Sequence, residues 1–492
     1  PPPVLRALQP VANRVLDASL RAMKRFYLQS LKDWQGWDIF PQLKPPTMVI
    51  LGNRDKVLPQ EAFERVAELV PPESDIVNVG VSAHMVMLER RDAVNRAIER
   101  FLEMDMAAGH FSRWRSAEGG RGSLLAERPW LAHYEAAVPA TIDVPRLPLT
   151  RLLDRAYRRY PGHAAMRFMG ARLSYRRLSA EAARFANGLQ ALGVVKGDRV
   201  LLMLPNVPQL VIAYYGALRI GAVVVMANPL AKADEIVRQA QVSGAKVLVA
   251  LTKFADTAVK VKAQSDVAHL LLAHVADYMP FFRRLLFLVT RARREGHTLA
   301  QSPGENDFLW RPWLRQFDNA PPEVDVEPED TAVLQFTSGT TARPKGIMLS
   351  HHNLVANTMQ VGTWLTEARD GEEVVLCVTP FSHVYGMTAA MNLGISKAAC
   401  MVLLPKFEVA QVLATIKRTR PTLFPGVPTM YVAINNFPHV RRYNVQSINA
   451  CISGAAPLPI EVKEAFEKLT KGKLVEGYGL SEAGPVTHAN PI

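Results

Sequence analysis

The sequence predicts a layered α/β fold. Three observations carry that expectation. Short apolar runs of strand length alternate with helix-length amphipathic stretches as far as residue 480, the pattern of sheets covered by helices. Several of those runs are apolar throughout, such as Val200-Leu-Leu-Met-Leu204 after Arg199, which suits strands buried on both faces. Finally, 492 residues at 49% hydrophobic and 21% charged can bury several cores, with a prior of two to four domains.

In chain order, Thr47-Met-Val-Ile-Leu51 reads as a buried strand ending at Gly52-Asn-Arg-Asp55. A helix is expected at about 60–70. Asp75-Ile-Val-Asn-Val79 is a second strand, followed by Gly80-Val-Ser-Ala-His84 and a helical stretch from Glu89 to Leu102. Residues 105–128, with Glu118-Gly-Gly-Arg-Gly122 and mixed charge, read as a linker. From about 129 onward the pattern is steadier. Leu173-Ser-Tyr-Arg-Arg-Leu178 leads to a helix near 179–192, and Gly193-Val-Val-Lys-Gly-Asp198 is a turn into the strand at 199–204. Pro208 to Ala227 is apolar but carries Arg219, Gly216 and Gly221. It reads as a buried helix followed by the strand Ala222-Val-Val-Val-Met226, and not as a membrane span. A helix is expected at about 459–470.

The chemistry is concentrated in residues 331–350. The apolar run Thr331–Phe336 enters Thr337-Ser-Gly-Thr-Thr-Ala-Arg-Pro-Lys-Gly346, and Ile347-Met-Leu-Ser350 leaves it as a strand. Four hydroxyls, free backbone N–H groups and a lysine can all donate to phosphate oxygens. The loop differs from the P-loop, in which Gly-Lys-Ser/Thr opens a helix; here Lys345 precedes the closing Gly346. The ten-residue string resembles the phosphate-binding loop of the adenylate-forming (AMP-binding) superfamily, with Ala342 where that family usually has glycine. Leu474-Val-Glu-Gly-Tyr-Gly-Leu-Ser-Glu-Ala483 resembles its Tyr-Gly-x-Thr/Ser-Glu segment. Ala483 breaks any Gly-x-Ser-x-Gly nucleophile pattern there. Cys451-Ile-Ser-Gly-Ala-Ala-Pro-Leu458 resembles the small-residue turn beside adenine, and Thr379-Pro-Phe-Ser-His-Val-Tyr-Gly-Met387 the segment lining the acyl pocket.

The resemblance, covering about residues 129–492, implies a nucleotide site made of Thr337, Ser338, Gly339, Thr340, Thr341, Lys345 and Gly346 around the phosphates. Gly454, Ala455, Ala456, Tyr478 and Gly479 would border the adenine. Ser481 would touch the α-phosphate and Glu482 would help hold Mg2+, a hard cation that takes oxygen ligands. His383 would sit near the carboxylate being activated. Lys345, His383, Ser481 and Glu482 are the expected catalytic residues. ATP, Mg2+ and coenzyme A are the implied cofactors and co-substrates. Lys406-Phe-Glu-Val to Pro428-Thr-Met-Tyr431 resembles fatty acyl-CoA ligases more than amino-acid or aryl-acid activators. The implied reaction is formation of an acyl-adenylate, then of an acyl-CoA thioester.

Members of that family continue past the equivalent of Glu482 with a ribose-binding aspartate, a hinge and a small domain carrying an adenylation lysine. None of these follows within the sequence, which also opens Pro1-Pro2-Pro3. The chain is therefore expected to be a fragment of a longer protein, weak in nucleotide binding and poorly active. The first hundred residues, strand–Asp–helix–strand–His–helix, resemble the closing part of an α/β-hydrolase. There Asp55 would orient His84 toward a serine, but no Gly-x-Ser-x-Gly precedes Asp55, so the dyad is expected to be an orphan. The expected division is 1–104, linker 105–128, and 129–492. A hydrolase–ligase fusion that closes β-lactones, and a nucleotide- or acyl-binding pseudo-enzyme, are the alternatives.

Cys377, Cys400 and Cys451 have no disulfide or zinc spacing, which suits reduced thiols in a cytoplasmic protein. A net charge of +13 favours anionic partners. No nucleic-acid recognition module is present, and nucleic acid is not expected as a partner. The basic stretch Phe281-Phe-Arg-Arg-Leu-Leu-Phe-Leu-Val-Thr-Arg-Ala-Arg-Arg294, read as a helix, is either a solvated surface helix with an apolar underside or a peripheral contact with an anionic membrane.

Overall fold

The computed structural model describes residues 129–135, 137–297, 304, 306–337 and 345–492, together with the backbone of two strands nearer the start. The chain divides into two compact units, Pro1–Ala132 and His133–Ile492. In the first unit, β1 (Met48–Leu51) and β2 (Asp75–Asn78) pair in parallel, Met48 opposite Asp75, where the two apolar runs place strands. Asp55, His84 and the 105–128 linker lie outside the described residues.

The second unit opens with helix α1 (Thr150–Arg159), the hairpin β3 (Ala164–Phe168) and β4 (Ala171–Ser174), and helix α2 (Tyr175–Ala191). Helix α2 starts four residues before its expected position. The Ser174 side chain accepts from the backbone N–H of Arg177 and so captures a donor that a helix start leaves unpaired. The capping serine, and not the first apolar repeat, sets the boundary.

A seven-stranded sheet follows. It comprises β5 (Arg199–Met203), β6 (Val223–Met226), β7 (Ala245–Leu251), β8 (His269–Ala273), β9 (Asp307–Leu309), β10 (Thr331–Thr337) and β11 (Lys345–Ser350), in the order β11-β10-β6-β5-β7-β8-β9. All neighbours are parallel except β10 and β11. Alternate residues of each strand enter different cores, because successive side chains point to opposite faces. Val200, Leu202, Val224, Val247 and Val249 pack with α2 and helix α3 (Pro208–Arg219). Leu201, Val225, Leu248 and Ala250 pack with helices α4 (Ala233–Ser243) and α5 (Ala255–Ala263). Both faces are covered, which is why these strands are apolar throughout. Helix α3 is buried on every side except at Arg219, whose guanidinium donates to Asp154 at 2.7 Å.

Beyond helices α6 (Phe281–Thr290), α7 (Trp310–Leu314) and α8 (His351–Trp364), β12 (Val374–Cys377) and β13 (Cys400–Leu403) extend the β3–β4 hairpin in the order β12-β13-β3-β4. Strands β14 (Ala450–Ser453), β15 (Lys473–Gly479) and β16 (Val486–Ala489) form a third group. Single parallel bridges from Val375 to Leu423 and from Leu423 to Ala450 link it to β12. Helices α9 (Val409–Thr419), α10 (Pro428–Asn435) and α11 (Ile460–Thr470) cover this layer. Their core includes Leu376, Val402, Phe424, Tyr431, Phe466 and Leu474. The helix expected at 459–470 is α11. The three cysteines are free and buried. Among the described residues, no helix is long and apolar enough to cross a membrane.

Candidate active site

Strands β12, β14 and β15 run in the same direction, so their carboxyl ends open on one edge. Ligands of open α/β sheets bind at such edges. Each strand end delivers part of one cavity of about 270 Å3, lined by His383 and Tyr385 after β12, Ile452, Gly454 and Ala455 at the end of β14, Tyr478 and Gly479 at the end of β15, and Ser481 just past it. That volume is near the lower end of the roughly 300–1,000 Å3 typical of small-molecule sites and suits one moiety of a larger ligand. Three larger grooves, of about 1170, 1050 and 490 Å3, share none of these residues. Convergence of strand ends, and not size, distinguishes the smaller cavity.

The floor is fitted closely. A Cβ on Gly454 would stand 3.3 Å from the Tyr385 ring, and one on Gly479 would stand 2.2 Å from the Pro485 carbonyl oxygen. Tyr385 is buried and donates its hydroxyl to the Ile452 carbonyl; burial holds that phenol well above its ordinary pKa. Ala455 adopts φ 69°, a left-handed conformation uncommon for a residue with a side chain. Tyr478 is 66% exposed, so one face of its ring is available for stacking.

His383 caps the helical turn that follows it. Its Nδ1 accepts from the Tyr385 backbone N–H at 3.2 Å, which assigns the ring proton to Nε2. The ring is open to the cavity, yet the surrounding protein disfavours the imidazolium and lowers its pKa. A neutral N–H donor thus faces the cavity.

The loop carrying His383 is braced from other parts of the chain. Asn206, just past β5, donates to the carbonyls of Cys377 and Thr379 at 3.1 and 2.9 Å and accepts from the Phe381 N–H at 2.8 Å. Gln335, on β10, donates to the Ser382 carbonyl at 3.0 Å. Neither was singled out from the sequence. Their partners lie 47 to 175 residues away, and no local pattern marks such a contact. Tyr385 falls within the segment 379–387 expected to line the acyl pocket, whereas Pro485 in the cavity wall carries no signal in the sequence.

The hydroxyl-rich loop springs from the hairpin β10–β11, where Thr337 stands opposite Lys345. Ser338, Gly339, Thr340, Thr341 and Ala342 lie outside the described residues. Lys345 and Gly346 are exposed. Strand β11 packs beside the 3-10 turn Ser481–Ala483. Thr337, Lys345, Gly346, Ala456 and Glu482 are not in the cavity wall itself. Ala456 and Glu482 are exposed beside it.

Small residues, an exposed aromatic face and an exposed turn thus meet at the strand ends of a layered α/β architecture. Residues 153–492 match the family described as AMP-binding enzyme, and the chain belongs to that family. It is 41% identical over 372 residues to a long-chain-fatty-acid–CoA ligase of Bacillus subtilis, covering 75% of this chain and 66% of that one. It is 31% identical over 316 residues to 4-coumarate–CoA ligase 1 of Solanum tuberosum, covering 64% and 53%. The chain therefore spans between about half and two thirds of the length of these relatives. Among solved structures, a long-chain-fatty-acid-CoA ligase from Archaeoglobus fulgidus superposes with TM-score 0.60 at 20% identity, covering 73% of this chain and 69% of that one. The N-terminal domain of FACL13 from Mycobacterium tuberculosis gives 0.53 at 23%, covering 68% and 77%. At those identities the structural likeness concerns the fold.

Proposed function

We propose that the protein activates a long-chain fatty acid with ATP and passes the acyl group to coenzyme A. The observation that carries this reading is the convergence of His383, Gly454, Ala455, Tyr478, Gly479 and Ser481 on one cavity, with strand β11 packed beside the Ser481–Ala483 turn. The fatty acid is preferred over an aryl acid because the Bacillus relative is more similar than the Solanum one.

In this reading the adenine stacks on Tyr478 against the Gly454–Ala456 turn, where absent side chains leave room for a flat ring. Ser481 donates to the α-phosphate. The loop 337–346 surrounds the other phosphates, and Lys345 supplies positive charge. His383 Nε2–H donates to the acid's carboxylate and orients it. A carboxylate oxygen then bonds to the α-phosphorus as the bridging oxygen leaves with pyrophosphate. In the second step a thiol sulfur bonds to the acyl carbon and AMP departs. Both first-step reactants are anionic, so preorganised donors matter most; loss of one typically costs about 10²–10³ in rate.

Among the described residues no cluster of three or more metal-ligating side chains exists. The donor set fits Mg2+, which takes one or two carboxylates and completes its shell with phosphates and water. Glu482 would hold it, and the ion when bound would offset phosphate charge.

The test is equilibrium binding of two non-hydrolysable acyl-adenylate analogues, one with a long alkyl chain and one with a coumaroyl group. The alkyl analogue is expected to bind saturably and at least about ten-fold more tightly than the aryl one. Tyr478→Ala is expected to weaken it by about ten-fold, as loss of a base-stacking ring does elsewhere. Absence of saturable binding of either would overturn the reading; preference for the aryl analogue would overturn the fatty-acid assignment.

A further inference from the structure

Helix α6 is built inside out. Of its ten residues, Phe287 alone is buried, its ring edge-on to His274 and His297 with centroids 6.2 and 5.8 Å apart. Phe281, Phe282, Leu285, Leu286, Leu288 and Val289 are each between 42 and 82% exposed. At about 100° per residue these six span roughly 160° of the outward surface. Arg283 and Arg284 flank the buried side, and the helix gives way after Thr290 to a turn carrying Arg291, Arg293 and Arg294. The apolar underside expected from the sequence is thus mostly an apolar outer face. No acidic residue occurs between Asp277 and Glu295. The adjoining groove of about 1170 Å3 adds Arg167, Arg172 and Arg418.

Exposed large apolar side chains in one contiguous strip mark an interaction surface. The charge around the strip selects among partners. A second copy packed face to face would set arginines against arginines, because an isologous contact repeats the same surface on both sides. An anionic bilayer suits both the strip and its charge, since its acyl boundary takes the apolar arc and its headgroups take the arginines. At ten residues the helix lies on such a surface and does not cross it.

We propose that α6, with the Arg291–Arg294 turn, is a docking element that lies flat on an anionic lipid surface. Phe281, Phe282, Leu285, Leu286 and Val289 enter the headgroup–acyl boundary, and Arg283, Arg284, Arg291, Arg293 and Arg294 contact lipid phosphates. Docking needs neither ATP nor an acid, so it stands apart from the proposed reaction.

The experiment is flotation of the 492-residue chain with phosphatidylcholine vesicles, with and without phosphatidylglycerol. Binding to the anionic vesicles is expected to exceed binding to neutral ones by at least about ten-fold and to fall with added salt. Phe282→Ser with Val289→Ser is expected to reduce binding about ten-fold or more, with an unchanged circular dichroism melt, because both side chains are exposed. Reversal to glutamate at Arg291, Arg293 and Arg294 is expected to abolish the lipid-charge dependence. A separate Phe282→Trp reporter is expected to shift its emission to the blue with anionic vesicles and to be quenched by brominated acyl chains. Equal binding of wild type and serine variant, or an unshifted reporter, would overturn the proposal. So would a concentration-dependent dimer, abolished by the serine pair, in a chain that does not bind vesicles.

Discussion

At the scale of single residues, the site is governed by side chains that must be small or uncharged. Gly454 and Gly479 leave space that a methyl group would take from Tyr385 or from the Pro485 carbonyl. The protein around His383 disfavours its charge and lowers its pKa, which favours Nε2–H as a donor without adding a cation. His351 illustrates the same physics away from the site. It is fully buried, accepts from the Leu149 N–H at 3.2 Å, and burial pushes its pKa down to about 4. Between pH 6.5 and about 4 the unfolded chain therefore binds a proton that the folded chain does not. Stability from this group is complete above pH 6.5 and declines as pH falls through that window, by about 3 kcal/mol in all. His351→Gln is expected to flatten that part of the stability profile; denaturant melts of both proteins across pH 4–7 check it. An unchanged slope would mean that His351 titrates normally.

At the scale of elements, the sequence located strands and helices well and boundaries less well. The expected strand at 199–204 and helix-then-strand at 208–227 are β5, α3 and β6, because long apolar runs have few other ways to hide. Helix α6 stops four residues short of the basic stretch that suggested it, and its exposed face reverses what periodicity alone suggests. A helical repeat says which side chains share a face; it does not say whether that face meets protein. The loop after β12 shows the complementary case. Its position depends on Asn206, which fills three hydrogen-bonding roles from the far sheet. Asn206→Ala is expected to cost about 2–4 kcal/mol, since it strands buried backbone groups. It is also expected to weaken acyl-adenylate analogue binding by about ten-fold through His383. Urea melts and the binding assay check the two parts; a stability loss with unchanged affinity would separate the brace from the site.

At the scale of the whole molecule, the unit that begins at His133 carries its own buried core, described from Val138 to Val475. A unit with its own core can fold alone. Residues 133–492 alone are therefore expected to unfold in one cooperative transition, with a midpoint within a few degrees of the corresponding transition in the full chain. Calorimetry of both checks this, and a non-cooperative melt would show that the first 132 residues are needed. The sequence by itself determined the family and the layered α/β class, because motif and periodicity are local and survive in one dimension. Only the tertiary structure decided that ends of β12, β14 and β15 share a cavity, that Asn206 and Gln335 brace it, and that α6 turns its apolar side outward. Each of these depends on contacts between residues far apart in the chain, or on the lack of a covering neighbour, and neither leaves a trace in local spacing.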